Sequence, residues 1–188
     1  MFRTTMPLLL VLSLAACDAG EREAATDADT AADPAARPPA GTSGARATLR
    51  DSANAEVGTA EFRESGGGTQ LDVRVSGLAP GEHGIHVHMV GRCDAAIGFE
   101  SAGEHLNPTN AQHGLDNPAG PHMGDLPNLV VSADSTGNLT HTSAQLRLGD
   151  ALDGDGAAIV VHAAPDDQTT DPSGNSGARV LCGEIERA

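Results

Sequence analysis

The 188-residue sequence predicts an all-β fold, an antiparallel sandwich or barrel carrying two long loops. Apolar segments are short, alternate with polar residues at a period of two, and are separated by turn residues. Glycine is abundant, at 23 residues, which suits a turn-rich β protein better than a helical one. No stretch carries the apolar stripe of an amphipathic helix, and there is no internal repeat.

The first strand starts at Ala47-Thr48-Leu49-Arg50, and residues 57–64 form a second with a loose period of two. Ser65-Gly66-Gly67-Gly68 reads as a turn. Leu71-Asp72-Val73-Arg74-Val75-Ser76 alternates cleanly, as a half-buried strand does. Leu78-Ala79-Pro80-Gly81 then turns the chain into a strand running to His88. Residues 91–126 are rich in Gly, Pro and Asn and aperiodic, and a loop that long in a compact domain is usually functional. Strands resume at 129–131 and 139–142, with 134–138 as the turn between them. Ala158-Ile159-Val160-Val161-His162 is apolar enough for a buried strand. After a second long loop, 163–178, residues 179–185 close the sheet.

Aromatic residues are limited to three Phe, so the core must come from Leu, Val, Ile and Ala. All 11 basic residues are Arg, and the net charge of -15 argues against nucleic acid as a partner. An acidic surface favours solubility; it is equally compatible with salt adaptation or genome composition.

Residues 1–16 read as a signal peptide, with Arg3 ahead of an apolar run at 7–14 that is too short to span a bilayer. Leu14-Ala15-Ala16-Cys17 resembles a bacterial lipobox, in which Cys17 is lipidated and becomes the first mature residue. The alternative is cleavage after Ala16 with Cys17 left free. Asp18 resembles an inner-membrane retention signal. Residues 17–44 contain no large apolar side chain after Cys17 and read as a disordered tether, with a reach of roughly 30 Å. The expectation is an exported protein on the periplasmic side of a bacterial membrane, held there through lipid on Cys17, with a folded domain at 45–188.

The chain's chemistry centres on Gly81-Glu82-His83-Gly84-Ile85-His86-Val87-His88. Alternate residues of a strand share a face, so His86 and His88 project together about 7 Å apart, with Ile85 and Val87 opposite. Further histidines follow in Glu104-His105-Leu106-Asn107-Pro108, Gln112-His113-Gly114, Pro121-His122-Met123-Gly124-Asp125 and Val160-Val161-His162. Any one alone would read as a loop or surface residue. The ordered set after Gly-x-His-Gly-x-His-x-His does not.

From Gly81 to Gly183 this pattern resembles the copper–zinc superoxide dismutases. The gap between Cys93 and His105, and residues 170–177, look like the bacterial branch. The resemblance implies an eight-stranded Greek-key β-barrel. It implies copper held by His86, His88, His105 and His162, and zinc held by His105, His113, His122 and Asp125, with His105 bridging. An all-His set suits Cu(2+)/Cu(+), and three His with a carboxylate suit Zn(2+) in a tetrahedron. Asp166 matches the carboxylate that hydrogen-bonds one copper His and one zinc His. His83 matches a bracing histidine on the other strand face, and His141 matches nothing and reads as a solvated strand residue. Arg179, in Gly177-Ala178-Arg179-Val180-Leu181-Cys182-Gly183, matches the arginine that attracts and positions superoxide. His105 is implied as a catalytic group that takes and returns a proton. With Cys17 assigned to lipid, Cys93 and Cys182 remain as a disulfide pair, permitted in an exported chain.

The implied activity is dismutation of superoxide to dioxygen and hydrogen peroxide, by a protein that is either monomeric or dimeric. A copper- or zinc-storage module of the same fold is the rival, favoured only by missing ligands. A zinc hydrolase would want His-Glu-x-x-His, which is absent. Before Arg179 the 163–178 loop holds Asp166, Asp167 and Asp171 and no cation, so attraction of an anion is expected from the near field of the site alone.

Overall fold

Residues 44–188 are described by a computed structural model. Residues 1–16, read above as a signal peptide, and all but Gly44 of residues 17–44, read as a lipidated Cys17 and a tether, lie outside the described residues. Strand segments β1 (Gly44–Arg50), β2 (Glu56–Ser65), β3 (Gly68–Ser76), β4 (Gly81–His83), β5 (Ile85–His88), β6 (Leu129–Val131), β7 (Thr136–Ser143), β8 (Ala158–His162), β9 (Arg179–Glu184) and β10 (Glu186–Arg187) belong to one antiparallel sheet. One turn of helix, α1 (Leu148–Ala151), and two 3-10 turns complete the regular structure of the described residues.

Hydrogen bonding runs β4–β6–β7–β3–β2–β1–β9–β8–β5. Only Gly84 separates β4 from β5, so the two ends of that path are halves of one interrupted strand and the sheet closes into a barrel. β10 follows β9 across Ile185 and pairs with β1, so the ten segments amount to eight strands. The β3–β4 connection passes over β7 and β6, a Greek-key crossing.

Alternation builds the core. Ala47 and Leu49, Ala60 and Phe62, and Leu71, Val73 and Val75 point inward to meet Ile85, Val87, Ile159, Val161 and Leu181. Full burial of each of the larger side chains stabilises the fold by about 1.5–3 kcal/mol. β5 and β8 are buried on both faces. Their second face carries His86 and His88 and, with Cys182, a smaller cluster of Phe99, Ala102, Ala158 and Val160. The long loops cover this face, which is why β8 reads as continuously apolar.

Several boundaries shift from the sequence expectation by one to three residues. β1 begins at Gly44, and β7 begins at Thr136, inside the stretch read as a turn. The reason is Ser135, whose left-handed backbone (φ 65°) makes the reversal tight. The strand through 81–88 breaks at Gly84, whose N–H donates to the Ala164 carbonyl while its carbonyl accepts from the His162 N–H. His141, opposite Leu71 on β7, is half-buried rather than fully solvated, and desolvation lowers its pKa.

Candidate metal centre

The backbone brings the histidines together along β5. On one side β5 pairs with β8, which places His162 near His86. On its other side the 91–126 loop hydrogen-bonds to it: the Val87 N–H donates to Gly124 O at 2.8 Å, and the Leu106 N–H donates to Val87 O at 2.8 Å. His88 thereby lies opposite His105, and His86 opposite Asp125. This approach requires glycine at 124, because a Cβ there would collide with the Val87 carbonyl.

Two donor sets result. Nδ1 of His86 and Nε2 of His88, His105 and His162 are buried without a hydrogen-bond partner. One nitrogen from each of these rings can be chosen so that all lie within 4.8 Å of one another. Their other nitrogens are anchored, that of His105 on Asp125 in the second set. His86 Nε2 donates to Asp166 Oδ2 (2.6 Å), His88 Nδ1 to Gly103 O (2.8 Å) and His162 Nδ1 to Gly177 O (3.1 Å).

The second set surrounds Asp125 Oδ1. His105 Nδ1 and His113 Nδ1 lie 3.0 Å from it, and His122 Nδ1 lies 3.3 Å from it and 3.4 Å from His105 Nδ1. Donors about 2.0–2.1 Å from a tetrahedral zinc ion would be roughly 3.3 Å apart, so these spacings fit one. Ligand atoms of His86 also fall within 4.8 Å of His105, His113 and Asp125. His86, however, has one nitrogen committed to Asp166, and its other nitrogen belongs to the unpartnered set. His122 is therefore the better fourth donor. His105 reaches both sets, through Nε2 to one and Nδ1 to the other. Asp166 spans them from behind, accepting from His86 and, at 3.0 Å, from His113 Nε2. The Asn128 side chain holds Asp166 by two hydrogen bonds to its backbone (2.8 and 2.9 Å).

Burial sets the protonation. Desolvation lowers His86 to about 3 and His162 to about 4, and it also lowers His88 and His105. These rings are neutral at pH 7, the state that offers a lone pair to a metal. His113 differs. Burial works against its charge, but hydrogen bonds to Asp125 and Asp166 prevail and raise it to about 9. Burial likewise opposes charge on Asp125, yet hydrogen bonds from His105, His113, His122 and the Gly114 N–H hold its carboxyl well below the usual range.

Arg179 stands opposite His162 in the β8–β9 register and is mostly buried. Its NH1 donates to Phe99 O and its NH2 to Gly103 O, both at 2.8 Å. Gly103 O thus accepts from both Arg179 and His88. The disulfide between Cys93 and Cys182 and the buried Phe99 ring pin this segment to β9. His83 spans the His162 carbonyl (2.7 Å) and the Ala79 carbonyl (2.9 Å) from the other strand face.

Sequence reasoning missed the groups whose roles arise only in three dimensions. These are the carbonyls of Phe99 and Gly103, Asn128 behind Asp166, Glu100 at 3.5 Å from Arg179, and Asp171, whose carboxylate accepts from the His113 N–H. No motif marks any of them.

A closed Greek-key barrel whose loops converge two donor sets on one shared histidine defines a class of β-barrel metalloproteins. The family model described as copper/zinc superoxide dismutase (SODC) matches residues 56–185, and the chain belongs to that oxidoreductase family. The superoxide dismutase-like protein YojM of Bacillus subtilis is 42% identical over 136 residues, covering 69% of each chain. Superoxide dismutase [Cu-Zn] 1 of Aquifex aeolicus is 37% identical over 139 residues, covering 70% of this chain and 80% of that one. Among solved structures, a double mutant of the Bacillus subtilis SOD-like protein superposes with a TM-score of 0.71 at 40% identity, over 74% of this chain and 95% of that one. The Cu/Zn superoxide dismutase of Brucella abortus gives a TM-score of 0.64 at 31% identity, over 76% and 99%.

Proposed function

We propose that this protein dismutates superoxide, converting two superoxide ions and two protons to dioxygen and hydrogen peroxide. The observation that carries the proposal is the group of four buried, unpartnered imidazole nitrogens, on His86, His88, His105 and His162, beside Arg179. Those nitrogens would hold copper, and His105 Nδ1, His113, His122 and Asp125 would hold zinc. Copper bound there would supply a one-electron couple, and zinc a closed, redox-silent charge.

The chain's own groups do the rest. Arg179 is held by two carbonyls, with the exposed Glu100 carboxylate 3.5 Å from NH2, and its guanidinium would attract and position the anion. His105 Nε2 is the atom at which a proton can be held and returned, because it has no competing partner and its ring is fixed through Nδ1. Asp166 keeps His86 and His113 in the orientation that presents Nδ1 of each. Loops 91–126 and 163–178 exclude water from the rings. A storage module of this fold would be favoured by missing donors, and both sets are complete.

We further propose export and lipid attachment at Cys17, which rest on the sequence of residues 1–17. The decisive test is a dismutase assay with metal analysis, on protein stripped by chelation and after copper–zinc reconstitution. Activity that returns only with copper supports the proposal. Full metal loading without activity overturns it.

A further inference from the structure

We infer that Asp171 is a positioning residue for the zinc-binding set, a second carboxylate brace beside Asp166; the inference rests on the zinc assignment proposed above. Asp171 lies in the 163–178 loop, where its charge has no evident use in a site that must attract an anion. Its Oδ1 accepts from the His113 backbone N–H at 2.7 Å and lies 3.7 Å from His122 Nε2. One oxygen therefore faces two of the three histidines of that set.

A ring that presents Nδ1 to a metal must carry its proton on Nε2, which then needs an acceptor. Histidines bound to metal generally donate that second N–H to a carboxylate, carbonyl or water, which orients the ring and raises its basicity. His113 donates to Asp166. His122 is buried and has no hydrogen bond at Nε2, and the Asp171 carboxylate is its charged neighbour on that side. The separation of 3.7 Å is about 0.5 Å beyond a hydrogen bond, and the Asp171 side chain is half exposed, so a small shift toward His122 would complete the bond. The two aspartates then divide the work. Asp166 ties the His86 and His113 rings together, and Asp171 ties the His113 backbone and the His122 ring to the same loop.

The test uses the full chain, stripped of metal and titrated with zinc alone against a chelator, as wild type, Asp171→Asn, Asp171→Ala and Asp125→Ala. Loss of an outer carboxylate typically weakens metal binding about 10–100-fold. Asp171→Ala should show that loss, and Asp171→Asn, which keeps an acceptor oxygen without its charge, a smaller one. In zinc-loaded protein the His122 Nε2–H should exchange slowly with solvent by NMR, and faster in Asp171→Ala. A merely structural role would not move that proton. If zinc affinity stays within about threefold of wild type and the proton exchanges no faster, while Asp125→Ala abolishes zinc binding, the role of Asp171 is refuted and the site stands. If Asp125→Ala also leaves zinc binding intact, the site itself is wrong and this inference goes with it.

Discussion

Replacing both Cys93 and Cys182 with alanine should destabilise the metal-free domain by about 4–5 kcal/mol. The disulfide joins residues 89 apart in sequence, and the chain-entropy model for a loop of that length gives the stated range. For a domain of this size that is a fall of roughly 10–20 °C in melting temperature. The same staple has a functional consequence. It holds the segment whose Phe99 and Gly103 carbonyls receive the two Arg179 hydrogen bonds. A hydrogen bond to a charged group contributes about 1.5–3 kcal/mol, and losing one from the positioning of substrate corresponds to roughly tenfold or more in kcat/KM. Calorimetry on metal-free protein reads the first effect. Steady-state or pulse kinetics on metal-loaded protein reads the second. A variant that melts within a few degrees of wild type would refute the entropic argument. One that melts low but keeps full kcat/KM would show that Arg179 is held without the disulfide.

His88→Ala should abolish activity and copper binding while zinc is retained, measured by metal content; equal loss of both metals would refute the two-site assignment. Arg179→Ala should slow catalysis markedly with copper still bound. Raising ionic strength should change the wild-type rate little or raise it, because the distant field of this acidic chain is repulsive and salt screens it beyond a Debye length of about 8–10 Å; a steep fall with salt would reveal a positive funnel. The metal-free domain should be most stable near neutral pH. His86, His88, His105 and His162 have depressed folded pKa values, so their contribution is present above the unfolded value of 6.5 and falls below it, by about 1.4 kcal/mol per pH unit each. His113, raised to about 9, contributes fully below 6.5 and loses its contribution as pH rises through 9. Thermal melts across pH 4–10 check both limbs. Fractionation of Cys17→Ser should find an active domain released from the membrane, and retention would exclude lipid on Cys17.

The strands were legible wherever one face is apolar. β6 and β8 fall on the expected residues, and β3 on its alternating run. Strand ends were less so, because Ser135 and Gly84 redirect the chain by backbone geometry that no composition signals. The candidate ligands were legible for a chemical reason, since few residue types can offer a lone pair to a metal. The protein groups that orient them were not. A carbonyl is present at every residue, so the choice of Phe99 and Gly103 to hold Arg179 depends on where a loop lands. Asp171 looked like one more acidic residue of an acidic loop.

The two donor sets differ in what keeps them in place without metal. The first is made of neutral rings whose outer nitrogens are each anchored to a carbonyl, to Asp166 or, for His105, at the second set. Its geometry belongs to β5, β8 and the loop segment that pairs with them. The second is assembled from loop residues around one ionised carboxylate, with His113 retaining a proton between Asp125 and Asp166. Zinc binding must displace that proton, so metal uptake should release about one proton per ion near pH 7 and fewer above pH 9. Copper entering the first set finds rings already neutral and should release almost none. Indicator-dye titration of each metal separately measures the difference. Equal proton release for both metals would mean that the two sets are not electrostatically distinct, and that the division of the histidines between them is wrong.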